Sequence, residues 1–273
     1  SGAHPDCRAI TRGYDMRRSP PRIRSEIAVD DVRALGRFLH QTSVMGGWRV
    51  VIVDAADEMS LQAANALLKL LEEPPSRTLL MLVAHAPAHL LPTLRSRCRK
   101  VLLRPLTEEQ VVTLLDSKFP ELDAAERKSL ARLADGCPGR AIELGEIGAL
   151  DLYRELIAVL EPLPDLDVDT VHETADRFGR GASGEVAFRT MTGLLRRWLT
   201  LMVRRSACGT SAVEVVPGEG AVITRLAGRG GLDRWLAAWE KTSDLFARTE
   251  RLNLDRRQVF LNVILALAET ARG

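Results

Sequence analysis

The sequence lacks the motifs that mark phosphate-loop ATPases, zinc hydrolases and serine hydrolases. No G-x-x-x-x-G-K-[ST] loop, no H-E-x-x-H motif and no G-x-S-x-G elbow occurs in its 273 residues. Its four cysteines, Cys7, Cys98, Cys137 and Cys208, form no C-x-x-C pair. The sequence therefore predicts no metal site within this chain and a reducing, cytoplasmic setting.

Long hydrophobic runs and a strong net charge are also missing. No apolar run reaches the ~18 residues that a membrane span requires, so we expect no membrane partner. Lys and Arg total 38 against 36 Asp and Glu, a balance that gives no support from bulk charge for nucleic-acid binding. The start, SGAHPD, has neither an initiator Met nor a signal segment. We therefore expect no export, and we expect a natural N-terminal portion to precede Ser1.

A strand–helix–strand pattern is present near the N-terminus. The apolar run 50–53 predicts a buried strand that ends on Asp54. Apolar residues recur at helical spacing through 64–71, and Pro74-Pro75 end that helix. The apolar run 79–84 predicts a second strand, so the sheet should be parallel.

After one more predicted strand over 101–103, the rest of the chain is expected to be helical. Thr107 and Asp123 begin two short helices, and a third starts at Arg140, which together predict a small three-helix module. Longer helices are predicted over 185–206, 232–253 and 256–271. The last of these is apolar around most of its circumference, so we expect it to be buried in its own domain or against a partner. The predicted fold class is α/β plus all-α, with domains over 1–104, 105–149 and 150–273.

Three residues near the ends of the two predicted strands bear on nucleotide chemistry. Asp54 has the form of a Walker B carboxylate, which holds Mg²⁺ through water, although a strand-end carboxylate is the simpler interpretation. Ala55 follows it, and its methyl group cannot orient an attacking water. His85, after the second strand, is either a polar sensor or an ordinary surface histidine.

A basic cluster lies between residues 95 and 104. It is either a solvated loop with weak salt bridges or a phosphate-binding segment, for nucleotide or for DNA. In the second interpretation Arg97 reaches a phosphate on a neighbouring subunit, because a guanidinium binds phosphate in a bidentate manner. Cys98 is expected to be a small buried hydrophobe rather than a reactive thiol.

In combination, these motifs resemble the delta-prime family of the bacterial DNA polymerase III clamp loader, which consists of AAA+ proteins. The matching residues are His4-Pro5-Asp6, the strand 50–54, the NALLKLLEEPP string over 65–75 and the Ser96-Arg97-Cys98 (SRC) motif. The resemblance implies that residues 1–104 form the C-terminal part of an AAA+ domain with a parallel sheet. Residues 105–149 would then be a three-helix lid, and residues 150–273 a helical collar through which five subunits form a ring.

This chain departs from the ATP-hydrolysing subunits of that family at three positions. Ala55 stands where those subunits have the Walker B glutamate, and Asp54 therefore belongs to a degenerate Walker B. His85 lies at a degenerate sensor 1, and Gly139 stands where the lid carries the sensor 2 arginine. The resemblance thus implies a subunit without ATPase activity of its own.

The implied function is that of a non-motor (stator) subunit, which helps to load the sliding clamp onto primed DNA during replication. Arg97 would act as an arginine finger in trans on ATP-Mg bound by a neighbouring subunit. The implied partners are the gamma/tau motor subunits and the delta subunit, with clamp and primed DNA contacted through the complex.

The resemblance implies no cofactor in this chain, and it places the family's zinc-binding cysteines in the preceding N-terminal portion. The chain would contribute to the holoenzyme, a DNA-directed DNA polymerase and nucleotidyltransferase. Two alternatives remain open: a fragment of an active clamp-loader ATPase, and a purely structural helical scaffold.

Overall fold

The computed structural model describes residues 4–15, 22–179, 181–209, 213–252 and 254–273. The chain divides into two compact units, Ser1–Leu103 and Arg104–Gly273, next to the predicted boundary after residue 104. The first unit is α/β and the second is all-α, which confirms the predicted fold class. The division between residues 149 and 150 stays a prediction, because one hydrophobic core runs through both of the segments that it separates.

The first unit contains five strands and three α-helices in its described part. The strands are β1 (Cys7–Ile10), β2 (Tyr14–Asp15), β3 (Arg22–Ile23), β4 (Arg49–Val53) and β5 (Thr78–Leu82). The helices are α1 (Val29–Leu39), α2 (Leu61–Glu72) and α3 (Pro92–Arg97), with a 3₁₀ turn over Ala56–Glu58. Strands β1, β4 and β5 form a parallel sheet in the order β1-β4-β5, while β2 and β3 form a separate antiparallel pair. The parallel pairing confirms the predicted strand–helix–strand unit.

Helices α1 and α2 build their core on one face of the parallel sheet. Ser60 begins α2, and its Oγ accepts a hydrogen bond from the Ala63 amide at 3.2 Å. Leu67 of α2 is fully buried with Val51 and Val53, whose side chains point to the same face of β4. The predicted apolar stripe of α2 is therefore the stripe that packs.

The other face of the sheet is covered less completely. Val50 and Ile52 of β4 are half-buried, and their neighbours on β5, Leu79 and Met81, are 46% and 48% exposed. Parallel strands are usually buried on both faces. Within the described ranges, this sheet is buried on one face and partly open on the other.

The predicted strand over residues 101–103 is wrong. Val101, Leu102 and Leu103 have no strand assignment and are 74%, 68% and 88% exposed. A strand needs a neighbouring chain to pair its backbone groups, whatever the β-propensity of its side chains. In the part of the chain that the structure describes, neither edge strand of the sheet, β1 or β5, pairs with this segment.

The loop between α1 and β4 is held by a buried carboxylate. Asp6 is 2% exposed, and it accepts hydrogen bonds from the Val44 amide at 2.8 Å, the Met45 amide at 2.9 Å and the Ser43 hydroxyl at 3.0 Å. Burial alone would raise the pKa of Asp6, but these hydrogen bonds outweigh burial and lower it below the usual range. The loop is therefore fixed by an ionised side chain.

The second unit consists of helices in its described part. They are α4 (Glu108–Lys118), α5 (Ala124–Leu133), α6 (Pro138–Glu146), α7 (Ala149–Leu160), α8 (Val168–Asp176), α9 (Ala182–Cys208), α10 (Glu219–Leu252) and α11 (Arg256–Arg272). Thr107 and Asp123 cap α4 and α5 as predicted, each accepting from the amide three residues on. No helix among the described residues is both long and apolar enough to cross a membrane.

The prediction for one long helix needs correction. Helix α10 breaks at Gly231, where φ is 71°, so its second half begins at the predicted position. Its first half was not predicted, because the glycine-rich segment before Gly231 has low helix propensity. Packing overrides that propensity, since Val222, Ile223 and Leu226 are buried.

The last helix is buried on one face only. In α11, Val263, Ile264 and Leu267 lie in the core, but Leu265 is 51% exposed. Asn262 is also exposed, and its Oδ1 accepts a hydrogen bond from Gln258 Nε2 at 3.0 Å. Helix α11 is therefore buried in its own domain along one face, and whether a partner covers the exposed face that carries Leu265 stays a prediction.

A buried polar contact fixes α7 against the start of α10. Glu219 is 1% exposed, and one of its carboxylate oxygens accepts a hydrogen bond from the Tyr153 hydroxyl. The other oxygen accepts from the Val215 amide at 2.7 Å. Burial and the adjacent Glu219 charge raise the pKa of Tyr153, which therefore stays a hydrogen-bond donor.

Candidate functional site

The carboxyl ends of β4 and β5 bring two of the predicted site residues together. Asp54 follows β4 and His85 follows β5, and parallel pairing places both at the same edge of the sheet. His85 Nε2 lies 3.9 Å from Asp54 Oδ1. The two side chains are 74% and 50% exposed, so a solvent-borne ligand can reach them.

Ala55, next to Asp54, is 4% exposed and offers no polar side-chain atom to this edge. The neighbouring carboxylate, Asp57, has a different task. It accepts hydrogen bonds from the amides of His85 at 3.2 Å and Ala86 at 2.9 Å. Burial alone would raise the pKa of Asp57, but these backbone donors outweigh burial and lower it. Asp57 therefore fixes the segment that carries His85.

The role of Asp57 was missed from the sequence. Its partners lie beyond the next helix and strand, and no local pattern connects them. The only signal was a second acidic residue shortly after the strand-end aspartate.

The chemistry available at this edge is limited. Asp54 can offer one carboxylate to a cation through water, and His85 offers one imidazole beside it. Within the described ranges, no group of three or more His, Cys, Asp or Glu side chains is placed to hold a metal ion. The position after Asp54 provides no general base, because it is Ala55. The edge can contact a ligand, but the position after Asp54 offers no carboxylate that could orient a water molecule.

Arg97 ends the short helix α3, which one buried side chain holds in place. Leu94 of α3 is 1% exposed and shares a core with α2. The first residues of the basic cluster, 95–97, are helical, and Cys98 is the C-cap of α3. Arg97 Nη2 lies 2.7 Å from Glu72 Oε1, and the Arg97 side chain is 38% exposed. The pairing of Arg97 with Glu72 was not predicted.

Ser96 and Cys98 are the two neighbours of Arg97 in the SRC motif. The Ser96 hydroxyl donates to the Thr93 carbonyl oxygen at 3.0 Å. Cys98 is half-buried, and burial raises the pKa of its thiol. A raised pKa keeps the thiol protonated and poorly nucleophilic. Cys98 was predicted to be buried, and the structure leaves it half-buried.

Arg97 lies at the opposite end of α2 from Asp54 and His85. Helix α2 begins just after the strand edge that carries Asp54 and ends on Glu72, the partner of Arg97. Eleven helical steps separate the ends of α2, or about 17 Å along the axis. The structure therefore places Arg97 beyond reach of its own strand edge.

Gly139 lies in the second unit, in the first turn of α6. A Cβ atom at this position would meet no atom within 4 Å, so packing does not require glycine there. Arg140, the next residue, pairs with Asp135 at 3.8 Å. The position of the predicted sensor 2 thus has room for a side chain but carries none.

Known proteins resemble this chain in sequence. The family model described as "DNA polymerase III, delta subunit" matches residues 1–107. The delta-prime subunit of Pseudomonas aeruginosa is 33% identical over 163 residues, covering 60% of this chain and 47% of that protein. The delta-prime subunit of Escherichia coli is 38% identical over 144 residues, covering 53% of this chain and 40% of its own length. Over its N-terminal part the chain is therefore similar to the delta-prime subunits of DNA polymerase III.

This chain also resembles DNA polymerase III subunits with other names, at lower identity. The tau subunit of Escherichia coli is 26% identical over 239 residues, covering 78% of this chain and 37% of that protein. This chain spans about half the length of the curated delta-prime relatives that it matches.

Proposed function

We propose that this protein is a non-motor (stator) subunit of the replicative clamp loader and supplies Arg97 in trans to ATP on a neighbouring subunit. The observation that carries the proposal is the position of Arg97, an exposed guanidinium about 17 Å along α2 from the chain's own strand edge. An arginine side chain cannot span that distance. If Arg97 contacts a nucleotide, the nucleotide belongs to another subunit.

Loss of the chain's own hydrolytic groups supports the same function. Buried Ala55 replaces the glutamate that would orient water, His85 replaces a sensor residue, and Gly139 carries no side chain. In this proposal the three positions have lost the side chains needed for hydrolysis, while Arg97 keeps its guanidinium. We therefore propose that the protein hydrolyses no ATP by itself and that ATP-Mg is held by its neighbour.

The partners in this proposal are the gamma/tau motor subunits and the delta subunit, with the sliding clamp and primed DNA reached through the complex. The helices of residues 150–273 would form the collar that holds this protein in the ring. Arg97 would stabilise charge on the transferring phosphoryl group, which can be worth about 10³ or more in rate. The protein thereby serves DNA replication without a catalytic centre of its own.

An active motor subunit is the second candidate, because the tau relative matches a larger share of this chain. The two candidates differ at Ala55 and Gly139, neither of which can perform the task of an ATPase residue. Hydrolysis of ATP by the isolated full-length protein would favour the motor subunit. Absence of such hydrolysis together with activation of motor subunits would favour the stator.

The experiment is a substitution in the reconstituted clamp-loader complex. We expect Arg97→Ala to leave assembly intact and to lower DNA-stimulated ATPase, because one active site loses its arginine. Arg37→Ala is the control, since it removes an exposed guanidinium from the last turn of α1, outside the basic cluster, and we expect wild-type turnover. Normal turnover in a fully assembled Arg97→Ala complex would refute the proposal.

A further inference from the structure

The guanidinium of Arg97 is already occupied by groups of its own chain. Its Nη2 lies 2.7 Å from Glu72 Oε1, and its Nη1 donates to the Thr93 carbonyl oxygen at 3.1 Å. Nη1 also lies 3.5 Å from Ser96 Oγ. A bidentate contact with phosphate uses two parallel N–H groups, so both terminal nitrogens are engaged in contacts that compete with it.

The geometry of the ion pair is set by two packed helices. Glu72 is the last residue of α2, and Arg97 is the last residue of α3. Leu67 of α2 and Leu94 of α3 are 0% and 1% exposed in the same core. The carboxylate therefore stays beside the guanidinium while the core is intact, and it is not brought there by a mobile loop.

We propose that Glu72 is a positioning residue that holds Arg97 in a conformation unable to contact phosphate, and that docking onto the neighbouring subunit's nucleotide breaks this ion pair. The inference rests on the proposed trans role of Arg97. It assigns to Glu72 a restraint on that role: before docking, the guanidinium is neutralised by its own chain.

The exposure of the pair sets the size of the effect. The two side chains are 38% and 49% exposed, so water and salt screen their attraction. Exposed pairs of this kind shift an equilibrium by up to about fivefold. A multiply charged phosphate attracts the Arg97 guanidinium more strongly than the single Glu72 carboxylate does. Contact with phosphate can therefore break the ion pair, and the restraint is reversible. Its removal should raise activity by about two- to fivefold.

Glu73 provides the matched control for Glu72. It is exposed and adjacent, and within the described structure it makes no ion pair with Arg97. The comparison uses the reconstituted complex with four variants of this subunit: Glu72→Gln, Glu73→Gln, Arg97→Ala and the double variant Glu72→Gln/Arg97→Ala. DNA-stimulated ATPase is measured over a range of ATP concentrations, with unfolding of each isolated variant as a check on folding.

We expect Glu72→Gln to raise kcat/KM for ATP by about two- to fivefold, because Arg97 no longer has to break the ion pair when it contacts the neighbouring subunit's nucleotide. Glu73→Gln should match the wild type, and the double variant should match Arg97→Ala. A purely structural role for Glu72 predicts equal or lower activity and no dependence on Arg97. In the isolated protein, the Nε–H resonance of Arg97 should shift in Glu72→Gln and not in Glu73→Gln.

The outcomes separate this inference from the proposed function. If Arg97→Ala has normal turnover, the trans role fails and the inference falls with it. If Arg97→Ala lowers turnover but folded Glu72→Gln equals or falls below the wild type, the restraint is refuted and the trans role stands. A gain in Glu72→Gln that persists in the double variant would also refute the restraint, since the gain would not act through Arg97.

Discussion

Leu94 connects the stability of the first unit to the position of Arg97, and its truncation tests that connection. The side chain is 1% exposed in the core with Leu67, and it is the one residue of the six-residue helix α3 that is buried. A helix this short has little stability of its own, so packing holds it. Leu94→Ala should lower the free energy of unfolding of the first unit by about 2–5 kcal/mol.

The measurement is hydrogen exchange of the β4 amides, which reports on the first unit without interference from the second. Leu102→Ala is the control, since Leu102 is 68% exposed and its truncation should change stability by less than about 0.5 kcal/mol. We further expect Leu94→Ala complexes to lose part of the Arg97-dependent ATPase at temperatures where the variant is still folded. A change below about 1 kcal/mol at Leu94 would refute the claim that core packing holds α3.

Two further predictions concern buried polar groups. The pKa of Asp6 is lowered, so the stability that its ionised carboxylate contributes is complete at neutral pH and is lost as the pH falls through that depressed pKa. The amide resonances of Val44 and Met45, which donate to Asp6, should therefore titrate with the Asp6 carboxyl group. In Asp6→Asn these two resonances should not titrate. A midpoint above the usual aspartate range would contradict this. Tyr153→Phe should destabilise the second unit by about 1–3 kcal/mol in urea unfolding, because buried Glu219 loses a donor, and an unchanged midpoint would show that the contact contributes nothing.

Local signals were sufficient to predict much of the fold. The apolar spacing of α2 and the caps at Thr107 and Asp123 act within a few residues, so the sequence pattern contains them in full. Parallel strands also imply that Asp54 and His85 share an edge, and the structure places them there.

The features that were not predicted depend on contacts distant in sequence. Residues 101–103 have the composition of a strand, but strand formation depends on a neighbour that composition does not reveal. The first half of α10 has many glycines and is helical because Leu226 and its neighbours pack. The Glu72–Arg97 pair joins two helices across a whole strand, so no motif or spacing contains it.

ATP hydrolysis by the full-length protein, alone and assembled with the motor and delta subunits, tests the central claim most directly. The account predicts no hydrolysis by the protein alone, DNA-stimulated hydrolysis by the complex, and a loss of turnover when Arg97→Ala replaces the wild-type subunit in that complex. Hydrolysis by the protein alone would contradict the loss of its own active site. Unchanged turnover in the assembled Arg97→Ala complex would contradict the action of Arg97 in trans.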